Sequence, residues 1–401
     1  MAIPVLVTDG DERAALAVVR SLGRAGYTVH VCSTRGRSLA GASRYCADEQ
    51  RVPDPLRDAR GFVQAVEQRA RTTGARVLLP VTEASLLAVL SERSRFGGIC
   101  VPFPEEPVFR AACDKARVLA AARQVGISVP EQRILARPED AGALDLDSLR
   151  YPLVVKPARS VAESGHGRLK LGVAFARDEG ELRRRLAQLP DAAFPVLLQQ
   201  RIIGPGVGIF LLLWDGRTDA VFSHRRIRER PPAGGVSVYR ESIPPDPELV
   251  RASTALLAGF GWQGVAMVEY KVDASTGEPY LMEVNGRFWG SLQLAVDAGV
   301  DFPVRLVRLA LGEPLPPQPP YRAGVRSRWW WGDVDHLLAI LRRSREELAL
   351  PPDFPPRWRS LLAVLVPWRP GDRSEVFRWS DPAPALRESL DWFARAGKGT
   401  P

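Results

Sequence analysis

Three polar side chains stand in single file in the stretch "YLMEVNGR" at residues 280–287. Successive side chains of a β-strand point to opposite faces, so Glu283, Asn285 and Arg287 share one face at a spacing of about 7 Å. A carboxylate, an amide and a guanidinium on one strand face form a surface that can bind charged ligands. The apolar residues between them indicate that the other face of the strand lies against a core.

A second strand brings another carboxylate to this face. The segment "MVEYK" precedes a short Ser-Thr-Gly turn, and the hairpin register that this turn sets places Glu269 opposite Glu283. Like charges that oppose each other in a sheet are destabilising. Two carboxylates and the Asn285 amide oxygen form a hard-oxygen set suited to Mg²⁺. The alternative is a surface network in which Lys271 and Arg287 neutralise both carboxylates.

Lysine is rare in this chain, with five among 55 basic residues, and two lysines occupy unusual places. Lys156 lies in the apolar strand "LVVKP", and Lys115 lies in the first turn of a predicted helix that Asp114 caps and Gly126 ends. The helix macrodipole disfavours a cation at that end, and a bound phosphate would offset the cost. The Ser/Gly loop after Lys156 can close over phosphate with its backbone N–H groups. Its alternative is an ordinary hairpin loop whose lysine reaches solvent.

The elements that position these residues fall into three parts. Residues 1–105 alternate strand and helix patterns, which predicts a doubly wound parallel sheet with strands at "PVLVTDG", "YTVHVCS", "RVLLPVT" and "GICVPF". The first turn lacks GxGxxG, so a dinucleotide site there has little support. Residues 106–312 hold the charged strands and glycine loops. The proline-rich link "GEPLPPQPPY" then leads to a tail rich in tryptophan and arginine.

The tail carries an amphipathic helix pattern and a tryptophan triplet. The apolar residues near one face of the predicted helix are Val334, Leu337, Leu338, Leu341 and Leu348. Three roles are open for Trp329-Trp330-Trp331: these residues line an aromatic substrate pocket, pack against the core, or form a dimer contact. Packing is the favoured interpretation, because buried aromatic residues usually belong to a core.

Composition excludes several classes of protein. With 45% hydrophobic and 25% charged residues, the chain has the composition of a globular protein. The four cysteines are scattered along the chain, which favours reduced thiols in a cytosolic protein. The four histidines lack the spacing of a zinc site. We find no signal-peptide pattern and no membrane-spanning run. The net charge of +9 is dispersed, without a basic block. We therefore expect a cytoplasmic protein that binds small anions, with no nucleic-acid and no membrane partner.

The order of these motifs resembles the ATP-grasp superfamily, in particular its carboxylate–amine ligase branch, which is related to the biotin carboxylase and carbamoyl-phosphate synthetase domains. The resemblance covers roughly residues 1–312. It implies an α/β (α+β) fold with a doubly wound pre-ATP-grasp domain at 1–107 and a two-lobed ATP-grasp domain at 108–312. The tail, residues 313–401, lies outside it.

The resemblance also implies roles for individual residues. ATP and Mg²⁺ (or Mn²⁺) are the implied cofactors, with Glu269, Glu283 and Asn285 as metal ligands and Arg287 and Lys156 as the catalytic cations. The implied ATP-binding residues are Lys115, Lys156, Glu163, Ser164, Gly165, His166, Gly167, Gln199, Gln200, Arg201 and Ile202. In that set, residues 163–168 are a mobile phosphate loop and residues 199–202 are a hinge that holds adenine through its backbone.

The chain departs from the family pattern at two positions, and the resemblance also implies a set of substrate-binding residues. The hinge carries glutamines where the family usually has an acidic residue, and the position expected for a ribose-binding carboxylate, near Val207, is apolar. Either another residue holds the ribose, or the nucleotide is bound less specifically. By position in the family's order, His224, Arg226, Arg228 and Ser237 bind the substrate or acyl phosphate. Their alternative is a solvated, arginine-rich edge strand.

We therefore expect an ATP- and Mg²⁺-dependent ligase that activates a carboxylate as an acyl phosphate and joins it to an amine. Its partners are the small-molecule carboxylate and amine, and a homodimer is possible. Two alternatives stay open: a carboxylase or phosphotransferase on the same fold, and a nucleotide-binding protein without turnover. The sequence does not identify the substrates or the general base.

Overall fold

The structure is a computed structural model that describes residues 2–144, 149–165, 167–351, 354–366, 369 and 371–396. Within these ranges, no helix is both long enough and apolar enough to cross a membrane. The chain forms an N-terminal parallel sheet, a small antiparallel lobe and a large sheet that receives the C-terminal tail.

The N-terminal sheet confirms the predicted doubly wound pattern. Its strands are parallel in the order β3-β2-β1-β4. The strands are β1 (Pro4–Val7), β2 (Thr28–Ser33), β3 (Cys46–Arg51) and β4 (Val77–Leu79). The helices of this part are α1 (Arg13–Arg24), α2 (Ala59–Thr73), α3 (Glu83–Ser91) and a 3₁₀ turn at Arg93–Phe96. The predicted last strand, "GICVPF", forms only an isolated parallel bridge between Val77 and Cys100.

The small lobe has an apolar core of its own, separate from the main core. Two helices lead into it: α4 (Glu106–Cys113) and α5 (Lys115–Gln124). Its sheet has the order β5-β10-β6-β9, with β5 (Gln132–Leu135), β6 (Leu153–Pro157), β9 (Ala174–Ala176) and β10 (Val196–Gln200). The lobe also contains the hairpin β7 (Val161–Ser164) and β8 (Gly167–Lys170), helix α6 (Glu179–Ala187), and 3₁₀ turns at Pro138–Ala143 and Asp191–Ala193.

The large sheet forms the base of the molecule, with the order β15-β14-β11-β12-β13-β16-β17. Its strands are β11 (Gly206–Trp214), β12 (Arg217–Arg230), β13 (Val236–Ser242), β14 (Gly264–Val272), β15 (Pro279–Asn285), β16 (Arg326–Arg328) and β17 (Asp372–Ser374). The helices that follow or cover it are α7 (Pro247–Gly259), α8 (Leu292–Ala298) and α9 (Phe302–Ala310). The central strand β11, "GVGIFLLLW", is apolar throughout because both of its faces are covered.

The tail adds two strands to the large sheet and contributes α10 (Trp330–Arg342), α11 (Arg357–Leu365) and α12 (Ala383–Ala396). The predicted helix exists, but the predicted apolar face was wrong. The buried residues of α10 are Gly332, Asp333, His336 and Ile340, whereas Leu341 is exposed and Leu348 lies beyond the helix. The reason is an ion pair: Asp333 accepts hydrogen bonds from Arg228 and Arg328, which turns the polar edge of the helix inward.

The tryptophan triplet packs, as the favoured interpretation had it. Trp331 stacks on Trp392 of α12 with ring centroids 4.3 Å apart. The Trp329 ring lies under the Arg13 guanidinium at 3.8 Å, and its indole N–H donates to Glu388 at 2.7 Å. The triplet therefore joins the tail to the N-terminal domain.

Candidate active site

A cleft of about 840 Å³ lies between the small lobe and the large sheet. Strands β14 and β15 contribute one wall, and β6 and the end of β10 contribute the facing wall. The predicted site residues that line it are Lys156, Gln199, Gln200, Arg201, Ile202, His224, Arg226, Ser237, Glu269, Glu283, Asn285 and Arg287. The fold therefore brings residues from distant parts of the sequence into one cavity.

The acidic strand face has the register that the hairpin predicts. Glu269 pairs directly with Glu283, and a bulge follows Glu269 in β14. The Asn285 amide nitrogen donates to Glu283 Oε1 at 3.1 Å, and the Arg287 guanidinium donates to Asn285 Oδ1 at 3.3 Å. The polar side chains of β15 thus form a connected row that ends in a cation.

Two lysines from different elements converge on Glu283. Lys115 Nζ lies 3.5 Å from Glu283 Oε2 and donates to Ser160 Oγ at 2.8 Å. Lys156 Nζ lies 3.8 Å from the same oxygen and donates to the Met282 carbonyl at 2.9 Å. Lys115 and Lys156 are only 5% and 6% exposed. Two buried ammonium groups side by side repel each other unless an anion lies between them.

The electrostatics of this group follow from burial and proximity. Burial opposes ionisation of Glu283, but Lys115 and Lys156 outweigh it and hold the pKa of its carboxyl at about 2. Burial lowers the pKa of Lys156, and Glu283 counteracts that shift. Burial raises the pKa of Glu269, with a further contribution from the neighbouring Glu283 charge. Opposed carboxylates with pKa values shifted apart are typical of functional sites.

Arg226 lies against the acidic face. Its guanidinium pairs with Glu269 at 2.5 Å and with Glu229 at 2.7 Å. Although burial acts in the opposite direction, these two carboxylates raise the pKa of Arg226 above its usual range. The predicted substrate residue therefore contacts a predicted metal ligand directly.

The other predicted substrate residues divide into two sets. His224 is buried and its Nδ1 lies 3.4 Å from Ser291 Oγ. Burial and the nearby cations Arg226 and Arg240 keep its pKa well below the usual value, so the ring is neutral at pH 7. Ser237 also lines the cleft. Arg228 does not: the expected strand alternation fails because the β12–β13 register shifts beside it.

Arg228 has a structural partner instead. Its guanidinium binds both carboxylate oxygens of Asp333, at 2.6 and 2.5 Å, and lies 4.5 Å from the centre of the Tyr239 ring. Such a fork on a buried carboxylate fixes the tail helix to β12. Arg228 therefore lies outside the cleft in this structure, and its assignment to substrate binding stays a prediction that this contact does not support.

The described residues of the glycine-rich hairpin, 161–165 and 167–170, do not line the cleft. Its end contacts the N-terminal domain, where the Arg168 amide donates to the Leu56 carbonyl at 2.7 Å and its guanidinium donates to the Ala84 carbonyl at 3.4 Å. A Cβ on Gly167 would lie 2.7 Å from the Leu56 carbonyl oxygen, so this approach requires glycine. Within the loop, Glu163, Ser164 and Gly165 are described, whereas His166 lies outside the described residues.

Two further features in and beside the site were not predicted from the sequence. Arg343 and residues 346–349 of the tail line the cleft at the hinge, where Arg201 donates to the Ala349 carbonyl at 2.6 Å. No local pattern marks that segment. Glu83, in the first turn of α3, lies near Lys115 and Arg287, and burial raises its pKa. Its signal was visible: Glu83 follows the carboxyl end of a strand in a parallel sheet, where such folds bind ligands.

The oxygen donors fit a hard divalent cation. Glu269, Glu283 and Asn285 offer two carboxylates and an amide, the ligands that Mg²⁺ takes together with substrate phosphates. The described residues contain no group of three or more His, Cys, Asp and Glu that could hold a metal, so such an ion needs oxygens from substrate or water as well. A cation at Glu269 would also compete with Arg226.

Comparison with known proteins agrees with this geometry. A family described as "ATP-grasp in the biosynthetic pathway with Ter operon" matches residues 194–331, which hold the hinge, both acidic strands and the start of the tail. The alpha subunit of mitochondrial methylcrotonoyl-CoA carboxylase from Oryza sativa subsp. japonica is 26% identical over 340 residues, or 78% of this chain. The chain spans 43% of that protein's length.

Solved structures give the same fold. Biotin carboxylase from Campylobacter jejuni, a complex with β-γ-ATP, matches with a TM-score of 0.64 at 18% identity over 81% of this chain and 74% of its own. L-amino acid ligase from Bacillus licheniformis matches with a TM-score of 0.61 at 18% identity over 77% of this chain and 74% of its own. The strand order and these matches show that the chain has the ATP-grasp fold, and residues 194–331 match an ATP-grasp family.

Proposed function

We propose that this protein is an ATP- and Mg²⁺-dependent ligase that activates a carboxylate as an acyl phosphate and joins it to an amine. One observation carries the proposal: two buried lysines converge on Glu283, which lies opposite Glu269 on one wall of the cleft. Such a concentration of buried charge suits a polyphosphate with its cation, because phosphoryl transfer depends on positioning and charge neutralisation.

The nucleotide would lie along the cleft from the hinge to the lysines. The base would occupy the hinge end, next to the backbone of residues 199–202 and the apolar side chains of Met267 and Met282, all of which line the cavity. The phosphates would reach Lys156 and Lys115. For residues 163–167 to contact phosphate as well, the hairpin would have to leave its contacts with the N-terminal domain.

In the first step, a carboxylate oxygen attacks the γ-phosphorus and the bond to the β–γ bridging oxygen breaks, which gives an acyl phosphate and ADP. Lys156 would hold the γ-phosphate, and Arg287, at the end of the β15 row, would neutralise the carboxylate or its acyl phosphate. Glu269, Glu283 and Asn285 would hold Mg²⁺, which when bound would supply positive charge to the nucleotide phosphates. His224 is neutral, so it can act as a hydrogen-bond partner without adding charge.

In the second step, the amine nitrogen attacks the acyl carbon, the amine loses a proton, and phosphate leaves with one of the original carboxylate oxygens. The tetrahedral intermediate carries a negative charge, and Arg287 and Arg226 are the cations that line this part of the cavity. The general base for the amine stays unassigned.

The test begins with a screen of carboxylate and amine pairs for ADP release. Bicarbonate belongs in that screen as a carboxylate donor, because the similar proteins from rice and C. jejuni are carboxylases. The active carboxylate is then labelled with ¹⁸O in both oxygens. We expect one labelled oxygen in inorganic phosphate for each amide formed, with ADP as the nucleotide product.

Other outcomes separate the alternatives. Label in AMP would show activation as an acyl adenylate and contradict the proposal. A stable phosphorylated product without free phosphate would identify a phosphotransferase. Nucleotide binding without ADP release from any pair would favour a protein without turnover.

A further inference from the structure

A second cavity, with a volume of about 370 Å³, lies in the small lobe. Two of the residues that line it, Leu153 and Leu198, belong to the apolar core of that lobe. A cavity of this size that combines apolar side chains with a few polar groups is typical of small-molecule sites. We call it the back cavity, because it lies behind the sheet that borders the cleft.

The back cavity and the cleft lie on opposite faces of the small-lobe sheet. In β6, Lys156 lines the cleft, whereas Leu153 lines the back cavity. In β10, Gln199 lines the cleft, whereas Leu198 lines the back cavity. This division follows from strand geometry, because successive side chains point to opposite faces. Among the described residues, only Gln200 at the end of β10 lines both, so a ligand in the back cavity would not occupy the candidate active site.

Three arginines from different elements line the back cavity. Arg123 lies in the last turn of α5, Arg133 lies in β5, and Arg150 precedes β6. Their guanidinium groups form no hydrogen bond or ion pair with any residue that the structure describes. A guanidinium stays charged at physiological pH and presents a planar set of N–H donors that fits an oxyanion. Like charges around one cavity repel each other unless an anion lies between them.

The back cavity has too few carboxylates to neutralise these arginines. Among the described residues that line it, Glu131 is the one acidic residue, and it pairs with none of the three. Three arginines against one glutamate leave an excess of two positive charges. Helix α6 of the same lobe shows the opposite case, because Arg177, Arg183 and Arg185 each pair with a glutamate one turn away. The unbalanced charge is therefore a property of the back cavity and not of the whole lobe.

We propose that the back cavity binds a small anion with at least two negative charges, such as a phosphate ester or a polycarboxylate. The three guanidinium groups would donate to its oxyanion groups, and the leucine side chains would contact its carbon skeleton. Glu131 would accept a hydrogen bond from a hydroxyl or ammonium group of the same molecule. The site goes beyond the proposed ligase function, because it lies outside the cleft in which that reaction would take place.

The experiment titrates the whole chain by calorimetry with two probe anions in the absence of nucleotide. Inorganic pyrophosphate represents the phosphate class, and citrate represents the carboxylate class. The proteins are the unaltered chain, Arg133→Gln, Arg150→Gln, Arg217→Gln and Lys156→Met. Arg217 is the matched control, because it is an exposed strand arginine that lines neither cavity and has no ion pair among the described residues. Lys156→Met detects binding in the cleft, whose lysines can also attract an anion.

We expect at least one probe to bind, and Arg133→Gln and Arg150→Gln each to weaken it about tenfold or more, the effect of losing a hydrogen bond to a charged group. Arg217→Gln and Lys156→Met should change that affinity less than about twofold, because single exposed or distant charges contribute little. The probe that binds more tightly identifies the phosphate or the carboxylate class. Thermal unfolding checks that each variant is folded.

Three results would overturn the proposal. Binding that Lys156→Met abolishes and Arg133→Gln preserves would place the anion in the cleft. Equal weakening by Arg133→Gln, Arg150→Gln and Arg217→Gln would show a general effect of surface charge. If neither probe binds the unaltered protein, the back cavity is not a site for anions of these two classes.

Discussion

Two groups of buried charges lie against the large sheet, and each combines acidic and basic side chains in a different way. The cleft cluster consists of Glu269, Glu283, Lys115, Lys156 and Arg226, and the tail cluster consists of Arg228, Arg328 and Asp333. In the tail cluster, all three Arg–Asp hydrogen bonds measure 2.5–2.6 Å and Asp333 is 0% exposed. In the cleft cluster, the lysines stand 3.5 and 3.8 Å from Glu283, and most of the side chains line a cavity.

Burial and charge therefore do not by themselves identify a functional site. The tail cluster is a completed bidentate network, so a ligand would have to displace well-formed bonds. The cleft cluster contains loosely paired cations beside a carboxylate, and it faces a space that a polyphosphate can enter. Incomplete pairing next to a cavity is what distinguishes it.

The largest expected effect is on stability, in the tail cluster. Asp333→Asn removes the carboxylate charge that the buried guanidinium groups of Arg228 and Arg328 share, so we expect the free energy of unfolding to fall by about 3–5 kcal/mol. Denaturant unfolding measures this. Asp335→Asn is the matched control on the same helix, because Asp335 pairs with the half-exposed Arg230 and should cost about 1 kcal/mol or less. Equal losses at 333 and 335 would remove the distinction between a closed network and a surface pair.

In the cleft cluster, we expect a substitution to reduce turnover and to leave the protein folded. Glu283→Gln removes a carboxylate whose main partners are Lys115 and Lys156, the cations that we propose bind phosphate, so the protein should stay folded and bind nucleotide. Turnover, measured as ADP release, should fall at least about 100-fold, since a metal clamp contributes several kcal/mol to the transition state. Near-normal turnover with Mg²⁺ would show that the acidic face is not a metal site.

The sequence predicted what depends on local pattern. The Glu269–Glu283 register follows from one turn and strand alternation, and the Asp114 cap places Lys115 at the start of α5. The pairing of Arg226 with Glu269 was not predictable, because it joins two strands whose relative position depends on β11 between them.

In the tail, too, the contacts between distant parts of the chain were not predictable from the local sequence pattern. Its helix was predictable from periodicity, but the face that it buries is decided by Asp333, whose partner Arg228 lies about a hundred positions earlier in the chain. The cleft wall at Arg343 and residues 346–349 gives no local signal, since the contact with Arg201 depends on how the whole tail folds back. The placement of charged side chains on a single helix or strand could be predicted from the sequence. Contacts between elements that are distant in the sequence could be identified only in the structure.

A smaller effect, on nucleotide binding, should distinguish the buried Lys156 from the exposed Lys170. Lys156→Met should weaken nucleotide binding about tenfold or more, because a buried ammonium faces the phosphate end of the cleft. Lys170→Met is the control: Lys170 is exposed at the end of the glycine-rich hairpin, and we expect less than a twofold change. Arginine at 156 should restore binding only in part, since its planar fork does not reproduce a compact charge. Equal effects at 156 and 170 would mean that burial of Lys156 has no bearing on phosphate binding.

The smallest effect concerns pH, and it contrasts Glu283 with a carboxyl group in the tail. Glu388 accepts a hydrogen bond from Trp329, yet burial raises its pKa to about 7, with a minor contribution from the Glu375 charge. Its folded pKa therefore lies above the unfolded value near 4.5. Stability from this group is fully present below about pH 4.5 and is lost as the pH rises through about 7. Glu283, with its pKa held at about 2, does not titrate in that range.

We therefore expect the unaltered protein to lose on the order of 1 kcal/mol at Glu388 between pH 5 and pH 8, a discounted figure because the group is only partly buried. The side chain of Gln in Glu388→Gln is neutral at both pH values, so this variant should not lose that stability at pH 8. Relative to the unaltered protein, the variant should therefore have a higher unfolding free energy at pH 8 than it has at pH 5. Denaturant unfolding at both pH values, with Glu283→Gln as a second variant, measures the two contributions separately. Glu283→Gln should shift stability by the same amount at pH 5 and pH 8, because lysines keep its carboxylate ionised at both. A pH-dependent effect of Glu283→Gln, together with a pH-independent effect of Glu388→Gln, would reverse the contrast between the cleft and the tail.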